Sequence, residues 1–236
     1  MTKLLYQTDS YLKEFTATII ETVEEGVVLD QSTFYPGGGG QPCDYGSLET
    51  LDGKTYEINA IAKRDGKIIH VIDGDKPQQQ EVKGKIDWQR RYKLMRTHTA
   101  MHILCGVIWR DYNAAVTGGN MQVCQGRMDF ELEGMQREMV SEIEIKINDE
   151  IRQQRPIVIK IHPREEALKI PDLIRTKTNL VPKEITEIRT VDIVGLDLQA
   201  DGGTHVANTK EVGSLKLIKY KSKGRINKRL TMAVED

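Results

Sequence analysis

A change of hydrophobic period near residue 87 constrains the fold of this 236-residue chain more than any other feature. Before it, short β-branched runs are broken by Asp-Gly pairs; after it, apolar residues recur at three- and four-residue steps. A period of two suits a strand with one buried face, whereas a period near 3.6 suits a helix, and neither pattern serves as the other. The chain is therefore expected to be α+β. A small unit over residues 1–87 is built from strands, and a second unit over residues 88–236 opens on a helix.

In the first unit, residues 16–20 and 26–30 flank a turn at Glu24-Glu25. Residues 54–59, 67–72 and 81–86 repeat the strand pattern, punctuated by Asp52-Gly53, Asp65-Gly66 and Asp73-Gly74. Short strands joined by such turns predict a small β-barrel. Between them lies Phe34-Tyr35-Pro36-Gly37-Gly38-Gly39-Gly40-Gln41-Pro42. Four consecutive glycines invite a phosphate-loop reading, but no Gly-Lys-Ser/Thr follows and Pro42 does not open a helix. Two readings stay open: a flexible turn, or a loop stiffened by its prolines that lines a pocket at close approach.

From residue 87 to 112 the stripe Leu94, His98, Met101, His102, Cys105 and Ile108 is helical. Its His98-Thr99-Ala100-Met101-His102 spacing puts two imidazoles on one face, a turn apart, so that both can reach one metal ion. About a hundred residues on stands Asp201-Gly202-Gly203-Thr204-His205, where two glycines let the backbone turn sharply. Three of the five histidines sit in these two motifs. Buried imidazoles are either hydrogen-bonded core residues or metal ligands. Two at this spacing, with a third and a carboxylate elsewhere, favour a metal. His98, His102, His205 and Asp201 form a donor set suited to tetrahedral Zn²⁺; should Asp201 sit back, a water would fill its place. Zinc can polarise an ester carbonyl or activate water, so hydrolysis of an activated ester fits. No glutamate lies between the helical histidines, which removes the base of a metallopeptidase. His70 and His162 lack such partners and read as structural.

Further on, strands are expected around residues 121–124, 126–131, 157–161 and 185–194. A helix over 137–153 carries Val140, Ile143, Ile147 and Ile151 on one face, and a short helix covers 163–169. Near the end, Lys216, Lys219, Lys221, Lys223, Arg225, Lys228 and Arg229 occur with no acidic residue between them. They alternate with Leu217, Ile218, Tyr220 and Ile226, as a hairpin with one basic face would, either solvated or binding phosphate. A net charge of −1 means that any binding of nucleic acid rests on such a local patch. No apolar run approaches membrane-spanning length, and residues 1–9 lack the apolar core of a signal peptide. Cys43, Cys105 and Cys124 form no C-x-x-C pair, which points to a reducing cytoplasm.

Arg96-x-His98-Thr99-x-x-His102, Gly202-Gly203-Thr204-His205-Val206 and Thr209-Lys210-Glu211-Val212-Gly213 together resemble the editing domain shared by alanyl- and threonyl-tRNA synthetases. Residues 34–42 with Asp44 and Gly46 resemble its free-standing alanyl-tRNA editing branch. These motifs run from residue 31 to about 213 and leave no room for an aminoacylation domain. The resemblance implies an N-terminal β-barrel followed by an α/β editing domain that binds the acceptor stem of tRNA(Ala). It implies hydrolysis of Ser-tRNA(Ala) and Gly-tRNA(Ala), sparing Ala-tRNA(Ala), in the cytoplasm. It makes His98, His102 and His205 zinc ligands; the family commonly has cysteine where Asp201 stands, so this chain offers a harder carboxylate as fourth ligand or catalytic group. Thr117 corresponds to the position that contacts the amino-acid moiety and, with Asp201, is a candidate catalytic residue. Gly37, Gly38, Gly39, Gly40 and Gln41 would shape the pocket, and Lys221, Lys223 and Arg225 would hold phosphates. A non-catalytic tRNA-binding module with a structural zinc, or threonyl-type editing of Ser-tRNA(Thr), are the competing readings.

Overall fold

The computed structural model describes residues 1–78, 80–176 and 185–235. The fold is α+β, in two compact units, Met1–Lys93 and Leu94–Asp236. The first unit contains β1 (Lys3–Leu4), β2 (Glu14–Val23), β3 (Gly26–Leu29), β4 (Gln31–Ser32), β5 (Gly46–Thr50), β6 (Thr55–Ile58), β7 (Ile61–Arg64), β8 (Lys67–Val71) and β9 (Glu81–Ile86). Seven of these form one antiparallel sheet in the order β6-β5-β9-β2-β3-β8-β7. The long β2 makes the curl. Its residues 14–18 pair with β9 and its residues 19–23 with β3, with a bulge between Ile19 and Glu21. A bulge adds local twist and bend, so one strand serves both halves of the curled sheet. The barrel is a half-barrel: among the described residues, no ladder joins the edge strands β6 and β7.

Alternation along β2 buries Phe15, Ala17 and Ile19, which meet Leu29, Phe34, Leu48, Ile58 and Val82 in one core. Phe15 lies opposite Gly84, and a Cβ there would strike its ring, so that glycine makes room for the aromatic. Asp65 (φ 50°) and Gly66 (φ 74°) are both left-handed and join β7 to β8 as a two-residue turn of the kind the Asp-Gly pair predicts. The sequence pattern misses β5 and β7. Gly46-Ser-Leu-Glu-Thr50 and Ile61-Ala-Lys-Arg64 have few β-branched residues and become strands through pairing with β9 and β8.

Helix α1 (Trp88–Tyr112) begins where the period changes. The Asp87 carboxylate accepts from Arg90 N at 3.0 Å and caps it. From Leu94 to Ile108 every residue of α1 is buried, so the helix is enclosed on all sides, not on a single stripe. The rest of the second unit is β10 (Val116–Gln122), β11 (Gln125–Phe130), α2 (Arg137–Arg152), β12 (Ile157–Pro163), α3 (Arg164–Ala167), β13 (Glu187–Ile193), β14 (Asp197–Ala200), β15 (Ser214–Ser222) and β16 (Lys228–Glu235). One sheet runs β10-β11-β16-β15 and another β12-β13-β14, both antiparallel.

Two glycines let α1 sit tightly. A Cβ on Gly126 of β11 would stand 3.0 Å from Met101 Sδ, so the four-stranded sheet closes on the helix there. A Cβ on Gly106 would stand 2.9 Å from Leu196 Cγ and 3.0 Å from Asp197 Cβ, so the turn entering β14 closes on the other side. Helix α2 buries Val140, Ile143, Ile147 and Ile151, as its pattern predicts. Its Asn148 and Glu144 side chains bond the backbone of Leu215 and Leu217 (2.7–3.0 Å), which covers part of edge strand β15.

Candidate metal centre

α1 presents His98 and His102, and the loop after β14 presents Asp201 and His205. One ligand atom from each of these four residues falls within 4.8 Å of the others. His98 and His205 stack with ring centroids 4.3 Å apart; His102 stands edge-on to both, at 5.1 and 4.7 Å. His205 Nε2 lies 3.0 Å from Asp201 Oδ2, and His98 Nε2 lies 3.6 Å from Asp201 Oδ1. Donors about 2.0–2.1 Å from a tetrahedral ion are about 3.3 Å from one another, so these separations suit one cation at their centre. The cluster is able to bind a metal ion.

Two of the outer nitrogens, on His102 and His205, are held too. His102 Nδ1 meets Asp197 Oδ2 at 3.1 Å, which directs Nε2 toward the cluster. His205 Nδ1 meets Thr99 Oγ1 at 3.1 Å, and the same oxygen accepts from Val206 N at 3.3 Å. Gln199 Nε2 donates to Asp197 Oδ2 at 2.6 Å and to Cys105 Sγ at 3.3 Å. Cys105 is therefore engaged beside the site. Asp201 Oδ2 accepts from Gly203 N at 2.7 Å, an Asx turn that sets the loop, while Arg189 donates to the Asp201 carbonyl at 2.9 Å. Asp197, Gln199 and Arg189 lie outside the sequence motifs, and Thr99 lies within one that does not show its contact with His205. Asp197, Gln199 and Asp201 did leave a signal, a period of two that puts alternate polar residues on one face of a strand.

Burial disfavours charge on His98 and His205, pushing His98 down to about 4 and His205 well below the ordinary imidazole range. Burial opposes ionisation of Asp201 as well, but His98 and His205 outweigh it and hold the carboxyl well below its usual value. For His102, burial is outweighed by the Asp197 carboxylate, and its pKa rises. Neutral His98 and His205 beside an ionised Asp201 are in the state that metal ligation needs, whereas His102 would give up its proton when an ion binds.

The remaining motif residues have other tasks. Arg96 donates to Val212 O at 3.1 and 2.9 Å and packs where a Cβ on Gly213 (φ 81°) would stand, so it ties α1 to the Thr209–Val212 turn. Asp44 and Arg91, both fully buried, form a bidentate ion pair. Asp44 also accepts from Tyr35 N at 2.6 Å and so anchors the start of the glycine-rich loop. In that loop Gly37, Gly38, Gly39 and Gly40 all have positive φ. Gly38 and Gln41 exchange backbone bonds at 3.1 and 2.9 Å, and Tyr35 Oη donates to Gly38 O at 2.9 Å. The loop is a hydrogen-bonded turn closed on buried Gln41.

Thr117 is exposed on β10, its hydroxyl 3.3 Å from Asn227 Oδ1, and is not among the four clustered residues. The basic run divides. Lys228 is buried and donates to Gly224 O and Arg225 O, closing the β15–β16 hairpin. Lys216 pairs with Glu235 at 2.7 Å. Arg229 forks onto Asp129 at 2.6 and 2.8 Å, with Lys223 at 3.4 Å. Lys221 and Arg225 are exposed.

The threonyl and alanyl tRNA synthetase second additional domain matches residues 188–231, and the class II (A) tRNA synthetase family matches residues 6–90. Alanyl-tRNA editing protein AlaX-M of Methanosarcina barkeri is 40% identical over the full length of both chains. The AlaX-M protein of Saccharolobus solfataricus is 39% identical, again over both full lengths. The chain belongs to the AlaX-M family of alanyl-tRNA editing proteins. It is also 38% identical to the alanine–tRNA ligase of Ignicoccus hospitalis over 92% of this chain and 24% of the ligase. Most of the chain is thus similar to about a quarter of that much longer ligase. No helix among the described residues is long and apolar enough to cross a membrane.

Proposed function

We propose that this protein is a trans-editing deacylase that hydrolyses the ester of tRNA(Ala) mischarged with serine or glycine and spares Ala-tRNA(Ala). The observation that carries the reading is the four-residue cluster of His98, His102, Asp201 and His205 in a member of the AlaX-M family. Zn²⁺ is the ion that this nitrogen-rich, compact donor set suits, and when bound it supplies Lewis acidity toward an ester carbonyl or a water.

The protein's own groups prepare that chemistry. Asp197 and Thr99 fix the tautomers of His102 and His205, so that each turns its Nε2 lone pair inward. Asp201 is the fourth ligand or, withdrawn toward His205 and the Gly203 amide, a carboxylate able to accept a proton beside the reacting ester. Thr117 is assigned to the amino-acid moiety. A hydroxyl-binding site rejects the analogue that lacks the hydroxyl, which separates serine from alanine; glycine is told apart by exclusion of a methyl group. Gly37, Gly38, Gly39, Gly40 and Gln41 are assigned to substrate contact, since glycines without Cβ atoms leave backbone amides open to approach. Lys221, Lys223 and Arg225 are assigned to phosphates of the acceptor stem, in a cytoplasmic reaction.

The test is deacylation of Ser-tRNA(Ala), Gly-tRNA(Ala), Ala-tRNA(Ala) and Ser-tRNA(Thr) by metal-loaded protein. Rapid loss of the first two esters with the third intact is expected. Loss of Ser-tRNA(Thr) alone would make the enzyme threonyl-type. Binding without hydrolysis beyond the uncatalysed rate would leave an RNA-binding module with a structural ion.

A further inference from the structure

The register of the β10-β11-β16-β15 sheet carries the basic character of the hairpin across four strands. Gly118 pairs with Asp129, Asp129 with Arg229, and Arg229 with Lys221, which makes one row. Next to it, Asn120 pairs with Arg127, Arg127 with Thr231, and Thr231 with Lys219. Directly paired residues point to the same side of a sheet, and so do neighbours two apart along a strand. Both rows therefore share a face, opposite the one where Met128, Leu230 and Met232 are buried. Arg127 and Arg229 keep 41% and 26% of their side-chain surface exposed, so this face is open.

Its charges are preset. Asp129 gathers Arg229, Lys223 and Arg127 at 2.6, 3.4 and 3.9 Å, three cations against one carboxylate. Lys219 and Lys221 add two more along the edge strand. Gly118 puts no side chain at the end of its row. Apart from Ala233 and the Asp129 carboxylate, the residues in register are cations, amides, hydroxyls or glycine, with no apolar fringe of the kind that enters a bilayer.

We propose that this open sheet face, and not the hairpin loop alone, binds the phosphate backbone of the tRNA, with Arg127, Lys219 and Lys221 as the contacting cations and Arg229 held as a fixed positive centre. The inference rests on the tRNA substrate proposed above and widens its docking surface to β10 and β11. Phosphate contacts release counterions, so each contributes about one unit to the slope of log affinity against log salt.

The test measures binding of the full-length protein to uncharged tRNA(Ala) over a salt series, beside vesicles containing phosphatidylserine. Lys219→Gln with Lys221→Gln is expected to flatten the slope by about two, and Arg127→Gln by about one. Lys216→Gln should leave it unchanged, because that lysine is already paired with Glu235. All these side chains lie at the surface, and unchanged melting temperatures would show that the variants fold. Unchanged slopes in the first two variants would overturn the proposal, as would an equal loss of vesicle binding. Deacylation separates it from the reading it rests on. If the parent protein hydrolyses no aminoacyl-tRNA while the slopes shift as stated, the enzyme reading fails and the RNA face stands. A raised KM with kcat retained supports both.

Discussion

Arg91 and Asp44 are fully buried, and His98, His102 and His205 are buried beside a part-buried Asp201, yet the two groups balance their charges differently. The first is complete within itself. Arg91 meets both Asp44 oxygens and also donates to Ser10 O and Thr33 O, so every charge has a geometric partner. The second aims three Nε2 atoms and a carboxylate at one point, which is a poor arrangement for imidazoles that prefer donors and acceptors in pairs. Burying polar groups is costly unless they are satisfied, so the first cluster holds a loop and the second is suited to a cation. Completeness of pairing, more than burial or charge, separates scaffold from site.

That contrast can be broken or sharpened by substitution. His102→Ala should abolish both bound zinc and deacylation, as read by elemental analysis beside the assay; full activity in a zinc-free variant would sink the metal reading. Arg91→Leu should leave Asp44 as an uncompensated buried charge and lower unfolding stability by about 3–5 kcal/mol in urea melts. A loss under about 1 kcal/mol, the size expected of an exposed pair, would contradict that role.

His70 gives a gentler version of the scaffold case. It is fully buried against Ser32 Oγ at 2.8 Å, and burial pulls its pKa from 6.5 down to about 4. Between those values the unfolded chain binds the proton and the folded chain does not, so stability present above pH 6.5 drains away as pH falls toward 4. The depression corresponds to about 3 kcal/mol, and His70→Gln should flatten that part of the pH–stability curve by a similar amount. An identical acid limb in the variant would contradict it. The smallest effect expected is at the edge of the metal cluster. Asp197→Asn keeps the shape but loses the charge beside His102, and zinc affinity by competition with a chelator should fall about 10–100-fold. Unchanged affinity would show that the helix alone orients that ring.

Local pattern reached far in this molecule. The period change at residue 87 marks the start of α1, Val140, Ile143, Ile147 and Ile151 mark the buried face of α2, and the Asp65-Gly66 pair marks its turn. Those features depend on neighbours a few residues apart, and so do the spacings of His98 with His102 and of Asp201 with His205. What only the tertiary structure decided involves partners distant in sequence. Gly106 and Gly126 let two sheets close on α1, Asp197 reaches His102 across 95 positions, and the basic run breaks into spent and open cations according to which strand lies opposite. Asp201 and His205 come to the helical histidines for the same reason. Sequence spacing fixes which side chains share a face, but which faces meet depends on packing, and packing is a property of the whole fold.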